Sequence, residues 1–160
     1  MTDCDVSPSF SEGPKSYFAR LKESKAMEYI VERLGFIPES KKGVILFPEW
    51  KDYEKVLDNQ LDDYYPCLIA VQYRMLENKD GSWTMNTFFY SRGFDAYQKA
   101  HGNLAAIVLI SQRLAPRISK KLKRPIFVGS MTGFITDCHI YENNFKEAKA
   151  TIEEYNKKGI

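Results

Sequence analysis

CLIAVQYRMLENKDGSWTMNTFFYSR, Cys67 to Arg92, decides how this chain folds. Two runs rich in β-branched and aromatic residues, Cys67–Asn78 and Trp83–Arg92, flank Lys79-Asp80-Gly81-Ser82. An Asp-Gly pair between two such runs is a strong hairpin signal, because glycine takes the positive φ a tight turn needs. The segment therefore reads as two antiparallel strands. Cys67 follows Pro66 at the head of the first strand, where a thiol serves either as core filling or as a nucleophile.

Outward from the hairpin the periods change. Ser16–Gly35 carries Phe18, Leu21, Met27, Ile30, Val31 and Leu34 at mostly helical spacing and reads as one helix closed by Gly35. Gly43–Phe47 is a short buried strand by composition. Glu49–Leu61 is a second helix, with Trp50, Tyr53, Val56, Leu57 and Leu61 on one side. After the hairpin, Gln98–Ile118 contains an apolar helix that Pro116 ends or kinks. Pro125–Tyr141 is a β stretch, and Glu142–Gly159 an amphipathic helix. The order α-β-α-β-β-α-β-α implies an α+β domain with helices packed on a mixed or antiparallel sheet.

The 160 residues suit one domain, read as residues 15–160 behind a Ser-, Pro- and Asp-containing disordered lead, residues 1–14. That lead lacks the basic and apolar regions of a signal peptide. A net charge of +2, from 23 basic and 21 acidic residues, makes no large field for nucleic acid or membrane. The basic run Lys120–Arg124 reads as a solvated loop. Three cysteines (Cys4, Cys67, Cys138), far apart, make no disulfide framework, and with two histidines no metal spacing. No apolar run is long enough to span a bilayer. These features fit a reducing, cytoplasmic setting. Ten Tyr and ten Phe imply a heavy core, a stacking site or a buried interface.

Two further segments hold chemistry-bearing residues. In Thr136–Asn144, alternation along a strand places His139 and Tyr141 on one face and Cys138 on the other. Two such side chains can hold one hydroxyl, or be a satisfied core histidine and an interfacial tyrosine. In Phe88–Asn103 a strand ends near Arg92 and the chain enters a helix past Asp95, His101 and Asn103. Arg92 can bind a phosphate or pair with Asp95. Asn103 offers a donor and an acceptor together, which suits the edge of an amide-like ring.

Taken in order, Pro66-Cys67, YSRGFDAY with Asn103, and HIYEN (His139 to Asn143) resemble the thymidylate synthase superfamily over about Pro66 to Asn156. SRGFDAYQKAHGN and CHIYENNFKEA look like the shorter archaeal and pyrimidine hydroxymethylase-like members. The resemblance implies a thymidylate synthase-like fold whose sheet face is buried in a homodimer. It implies a methyl or hydroxymethyl transferase acting at C5 of a uracil-like pyrimidine nucleotide, with 5,10-methylenetetrahydrofolate as one-carbon donor and no metal. Cys67 would be the nucleophile that adds to C6. Asp95 would order the folate or catalytic waters. Arg92 would face the nucleotide phosphate and the sulfur, Asn103 would read the pyrimidine edge, and His139 and Tyr141 would hold the sugar hydroxyl.

The chain departs from the family pattern at several positions. Leu68 stands where a histidine usually follows the cysteine, and Gly93 where a phosphate-binding serine usually follows the arginine. Gln98–Gly102 replaces a glycine-and-proline segment. Upstream of Cys67, FPEWKDYEKVLDNQLDDYY holds none of the arginines the family lends to the partner's phosphate site. Full-length synthases also continue past the last helix into a tail that closes over the folate. A less enclosed site would let water meet the intermediate and give a hydroxymethyl product. Two alternatives follow: a noncatalytic relative that binds a ligand or partner, and a tailoring enzyme using the same cysteine on a non-nucleotide ring.

Overall fold

The computed structural model describes residues 16–61 and 65–159. The lead expected over residues 1–14 lies outside the described residues. The elements run α1 (Tyr17–Glu23), α2 (Ala26–Phe36), β1 (Val44–Leu46), α3 (Trp50–Asp58), β2 (Leu68–Glu77), β3 (Trp83–Ser91), β4 (Phe94–Asp95), α4 (Ala100–Leu122), β5 (Ile126–Ile135), β6 (Cys138–His139), a 3-10 turn (Glu142–Asn144) and α5 (Phe145–Lys158). The architecture is α+β with a mixed four-stranded sheet ordered β1-β2-β3-β5. β1, β2 and β3 pair antiparallel, and β5 joins β3 in parallel. β4 and β6 form a separate parallel pair.

The hairpin forms as the sequence implies. Gly81 sits at φ +79° in the turn, and Asp80 Oδ1 accepts from the Ser82 N–H at 3.0 Å. Along β3 the inward residues Trp83, Met85, Thr87, Phe89 and Ser91 are buried, while Thr84, Asn86, Phe88 and Tyr90 face outward. The inner face packs against α2 and α4 through Ile30, Leu34, Ile107, Leu114 and Ile118, opposite Val71, Tyr73, Met75 and Met85. Each such side chain contributes roughly 1.5–3 kcal/mol on burial. A polar pair lies in this core, Thr87 Oγ1 and Ser111 Oγ at 3.0 Å, with Ser111 also donating to the Ile107 carbonyl.

Several boundaries differ from the sequence reading. The single helix expected over Ser16–Gly35 is two helices, broken at Lys25, which adopts φ +54°; Gly35 lies inside α2 rather than capping it. Pro116 does not end α4, which runs on to Leu122. Proline removes one N–H bond, and the buried Leu114, Ala115 and Ile118 on either side hold the helix to the sheet. Lys120 and Lys121 are in the last turn of α4, where cations suit the helix dipole, rather than in a loop.

α3 presents the larger surprise. Trp50, Tyr53 and Leu57 do share one side, but that side faces solvent, and the buried residue is Asp52. The cause is a buried ion pair. Arg20, on α1, reaches Asp52 with Nη1 and Nη2 each 2.7 Å from a carboxylate oxygen, and Nη1 also donates to the Phe47 carbonyl at 3.0 Å. Burial pushes the Asp52 carboxyl up, but the Arg20 hydrogen bonds, the Glu49 N–H and the Arg20 charge outweigh it. The net effect holds the group below its usual 3.8.

The outward sheet face carries exposed apolar residues toward both ends of its strands. Phe127, Phe134, Phe88, Tyr90, Leu46 and Leu76 are exposed there, Phe134 at 67%. Tyr90 and Phe134 stack with ring centroids 6.0 Å apart.

Candidate active site around Cys67

The site begins at an irregularity in β2. Leu68 pairs with Ser91 but Ala70 pairs with Tyr90, so Ile69 is an extra residue, a bulge two residues beyond the half-buried Cys67. Bulges bend a strand and re-aim its side chains, which is why they recur beside active sites. The Ile69 carbonyl is taken by the Phe47 N–H at 3.0 Å.

The end of β3 holds the cysteine from the other side. Arg92 N–H donates to the Cys67 carbonyl at 2.9 Å, and the single Ser91 Oγ–H is shared between that carbonyl at 2.9 Å and the Gly93 carbonyl at 2.7 Å. The Arg92 guanidinium reaches back along the chain. Its Nε donates to the Pro66 carbonyl at 3.1 Å and its Nη2 to the Tyr65 carbonyl at 2.5 Å. It also lies 5.5 Å from the centroid of the Tyr65 ring. Tyr65 packs edge-on to Tyr53 at 5.4 Å, and Tyr53 lies 6.0 Å from Trp50, so an aromatic row runs from the outward side of α3 to Arg92. Burial, then the neighbouring Tyr53 hydroxyl, push the Tyr65 phenol up to about 12, so it is neutral at physiological pH.

The β4–β6 pair brings the later motifs to this place. Its register sets Phe94 opposite Cys138 and Asp95 opposite His139, and the Ala96 N–H donates to the His139 carbonyl at 2.9 Å. Gly93 leaves its backbone beside the His139 ring, since a Cβ there would be 3.7 Å from Cε1. His139 Nδ1 meets Asp137 Oδ2 at 3.1 Å, and its ring is edge-on to Tyr141 at 5.0 Å. In the neutral tautomer that gives its Nδ1–H to this carboxylate, Nε2 is the acceptor. Tyr141 lies past the end of β6 and caps the 3-10 turn, so ring contact, not strand alternation, brings it to His139.

Asp95 is buried, at 5% exposure. Its Oδ1 accepts the N–H groups of Tyr97 and Gln98 at 3.1 and 3.0 Å, turning the chain into α4. Its Oδ2 is buried without a hydrogen-bond partner among the described residues. Gln98 continues the contact to Asn144, its Nε2 donating to Oδ1 at 3.1 Å. Asn103 sits half-buried in the first turn of α4, and no hydrogen bond joins its side chain to the other candidates among the described residues.

The structure thus joins Cys67 to Arg92, and the Arg92–Asp95 turn to His139 and Tyr141. It shows Arg92 using two donors to hold the chain in front of Cys67. Sequence reasoning missed Ser91, Gln98, Asn144 and a fourth contact, the Leu68 N–H donating to the Tyr17 hydroxyl at 2.9 Å. These are single hydrogen bonds across large sequence distances, without a local signal. No group of three or more His, Cys, Asp or Glu is arranged to hold a metal ion among the described residues. No helix among them is long and apolar enough to cross a membrane.

No family model matches the chain. It is similar to thymidylate synthases of Lactococcus lactis subsp. cremoris strain SK11 and subsp. lactis strain IL1403, 24% and 21% identical over 137 residues. That alignment covers 86% of this chain and 45% of each relative. A Methanothermobacter marburgensis protein provisionally named a thymidylate synthase is 26% identical over 123 residues, 77% of this chain and 48% of its own length. These similarities, with the α+β architecture and mixed sheet, support a distant thymidylate synthase-like relationship. The chain spans about half the length of these relatives.

Proposed function

We propose that the chain carries out one-carbon transfer to C5 of a uracil-like pyrimidine nucleotide through Cys67, as a methyl or hydroxymethyl transferase. The observation that carries this reading is the fixed Cys67–Arg92 contact, with Asp95 and His139 in register beside it. The distant similarity to thymidylate synthases supports it. In this reading the Cys67 thiolate bonds to C6, which gives C5 carbanion character. C5 then bonds to the one-carbon unit and releases its proton, and the Cys67–C6 bond breaks to restore the ring; a bound folate would have to supply the hydride for a methyl product, whereas water would supply the hydroxyl of a hydroxymethyl product. Asn103 reads the ring edge, and His139 Nε2 with the Tyr141 hydroxyl receive the sugar hydroxyl.

The residues fit a folate at one point and a phosphate less well. The unpartnered Asp95 Oδ2 suits an N–H donor of a pteridine-like ring. Bound 5,10-methylenetetrahydrofolate would supply the one-carbon unit. Among the described residues no hydrogen bond engages Arg92 Nη1, which leaves it for an anion, but one guanidinium holds a dianion weakly without companions. Docking of two copies through the open sheet face would cover Phe127, Phe134 and Tyr90 and make the protein a homodimer.

The test is tritium release from C5-labelled dUMP, UMP, dCMP and CMP with methylenetetrahydrofolate, using wild type and Cys67→Ala. Release by wild type alone supports the reading, and the best substrate names the ring and sugar. Release by neither overturns it. The second reading is then a noncatalytic ligand-binding relative, which the commitment of Arg92 to two backbone carbonyls and the presence of Gly93 and Leu68 favour. Equal ligand binding by wild type and Cys67→Ala, without chemistry, supports that alternative; a tailoring enzyme using the same cysteine on a non-nucleotide ring is the third reading.

A further inference from the structure

A residue's backbone has two soft dihedrals, φ and ψ, and the peptide planes on either side define them. At Cys67 both planes are pinned by side chains. The plane before it is held through the Pro66 carbonyl, which accepts from Arg92 Nε at 3.1 Å. The plane after it joins the Cys67 carbonyl to the Leu68 N–H and makes three hydrogen bonds, the one from Ser91 being shared with the Gly93 carbonyl. Its carbonyl takes the Arg92 N–H and Ser91 Oγ, and its N–H gives to Tyr17 Oη, each at 2.9 Å. With φ and ψ set, the direction of the thiol is left to χ1 alone.

Tyr17 is the distant member of this clamp. It lies 51 residues from Leu68, on α1, and its ring rests edge-on against Phe47 at 5.1 Å. Phe47 is itself 1% exposed and bonded to the bulge through the Ile69 carbonyl. The phenol oxygen is thus delivered to the Leu68 N–H by a packed, ordered base. Its bond opposes the pull of Arg92 and Ser91 on the other end of the same peptide.

We propose that Tyr17 is a positioning residue for the Cys67 thiol: its hydroxyl fixes the Cys67–Leu68 peptide and so aims the sulfur. The proposal rests on reading Cys67 as the nucleophile, but its test does not require turnover. Tyr17→Phe keeps the ring and removes only the oxygen. Wild type and variant are alkylated with iodoacetamide and digested, and modification rates at Cys67 and Cys138 are read by peptide mass spectrometry in the same sample. Freed from the clamp, Cys67 reacts at least roughly threefold faster in the variant while Cys138 is unchanged, as expected for release of a locally ordered segment. Ser91→Ala, which loosens the other end of the same peptide, moves the Cys67 rate in the same direction.

An unchanged Cys67-to-Cys138 ratio overturns the proposal, and so does a parallel rise at both cysteines, which is general loosening. If Tyr17→Phe does not fold, hydrogen exchange on wild type decides. A Leu68 amide that exchanges as fast as an unstructured one overturns the clamp, and a protected one upholds it. Where wild type shows C5 chemistry, Tyr17→Phe lowers kcat by roughly tenfold with KM within about twofold, because a misaimed nucleophile costs rate rather than binding; a fall in neither, or in binding alone, counts against it. Absence of turnover in wild type overturns the proposed function and leaves the alkylation result to judge Tyr17.

Discussion

Arg20 and Asp52 meet at two points, both side chains buried, and this pair turns α3 so that its polar side faces inward. Removing the Asp52 charge takes away the two-point partner of the buried Arg20, the Glu49 carboxylate standing farther off at 4.0 Å. Asp52→Asn is expected to lower stability by about 3–5 kcal/mol, read as a fall in the urea midpoint.

The same pair gives stability a pH dependence of known sign. The Asp52 carboxyl is held below its usual 3.8 in the folded state. Its contribution is therefore complete above about pH 4 and is lost as pH falls through the lower folded value. Urea titrations between pH 7 and pH 2.5 are expected to show this acid loss in wild type, and a smaller one in Asp52→Asn.

Arg92 spans two carbonyls with a rigid fork. Arg92→Ala is expected to reduce C5 tritium release by at least roughly 100-fold. Arg92→Lys is expected to rescue little, because one ammonium does not reproduce two diverging N–H donors. Full activity in the lysine variant would show that only the charge matters.

Asn103 offers both a donor and an acceptor, whereas a carboxylate only accepts. Asn103→Asp is expected to move preference from uracil toward cytosine nucleotides by roughly tenfold or more in kcat/KM, measured by competing the two labelled substrates.

Gly133 lies under the Phe89 ring: a Cβ there would come 2.0 Å from Cζ. The neighbour is the rigid tip of a buried aromatic, so Gly133→Ala is expected to cost about 1–3 kcal/mol and lower Tm.

On the open sheet face, Phe134→Asp puts a charge beside Tyr90 without touching the core. Wild type is expected to sediment as a dimer and the variant as a folded monomer, with an unchanged far-ultraviolet spectrum.

The hairpin is legible in the sequence because strand period, β-branched content and the Asp80-Gly81 turn all agree. The sequence leaves the sheet as mixed or antiparallel, and the parallel pairing of β5 with β3 beyond α4 makes it mixed. The break at Lys25 is not legible: lysine rarely adopts positive φ, and no local signal marks it. Nor is the orientation of α3, where pattern identifies the apolar side but one long-range ion pair decides which side is buried. At the site, residue types and order point to Cys67, Arg92, Asp95 and His139. The clamp residues Tyr17 and Ser91 are ordinary in sequence, and the three-dimensional path alone brings them to Cys67.

The parallel pairing of β5 with β3 has a consequence for how the molecule is built. β1, β2 and β3 are joined by near neighbours, but β5 reaches β3 only after the 23-residue helix α4 has crossed over. Such distant pairings form slowly, since a large loop must close before any contact rewards it. Cys67 and Arg92 belong to the early meander, while His139 and Tyr141 arrive with the late strand and the β4–β6 pair behind it. In chain order Tyr17, Cys67, Ser91 and Arg92, the partners in the Cys67 clamp, are all synthesised before β5 and before His139 and Tyr141.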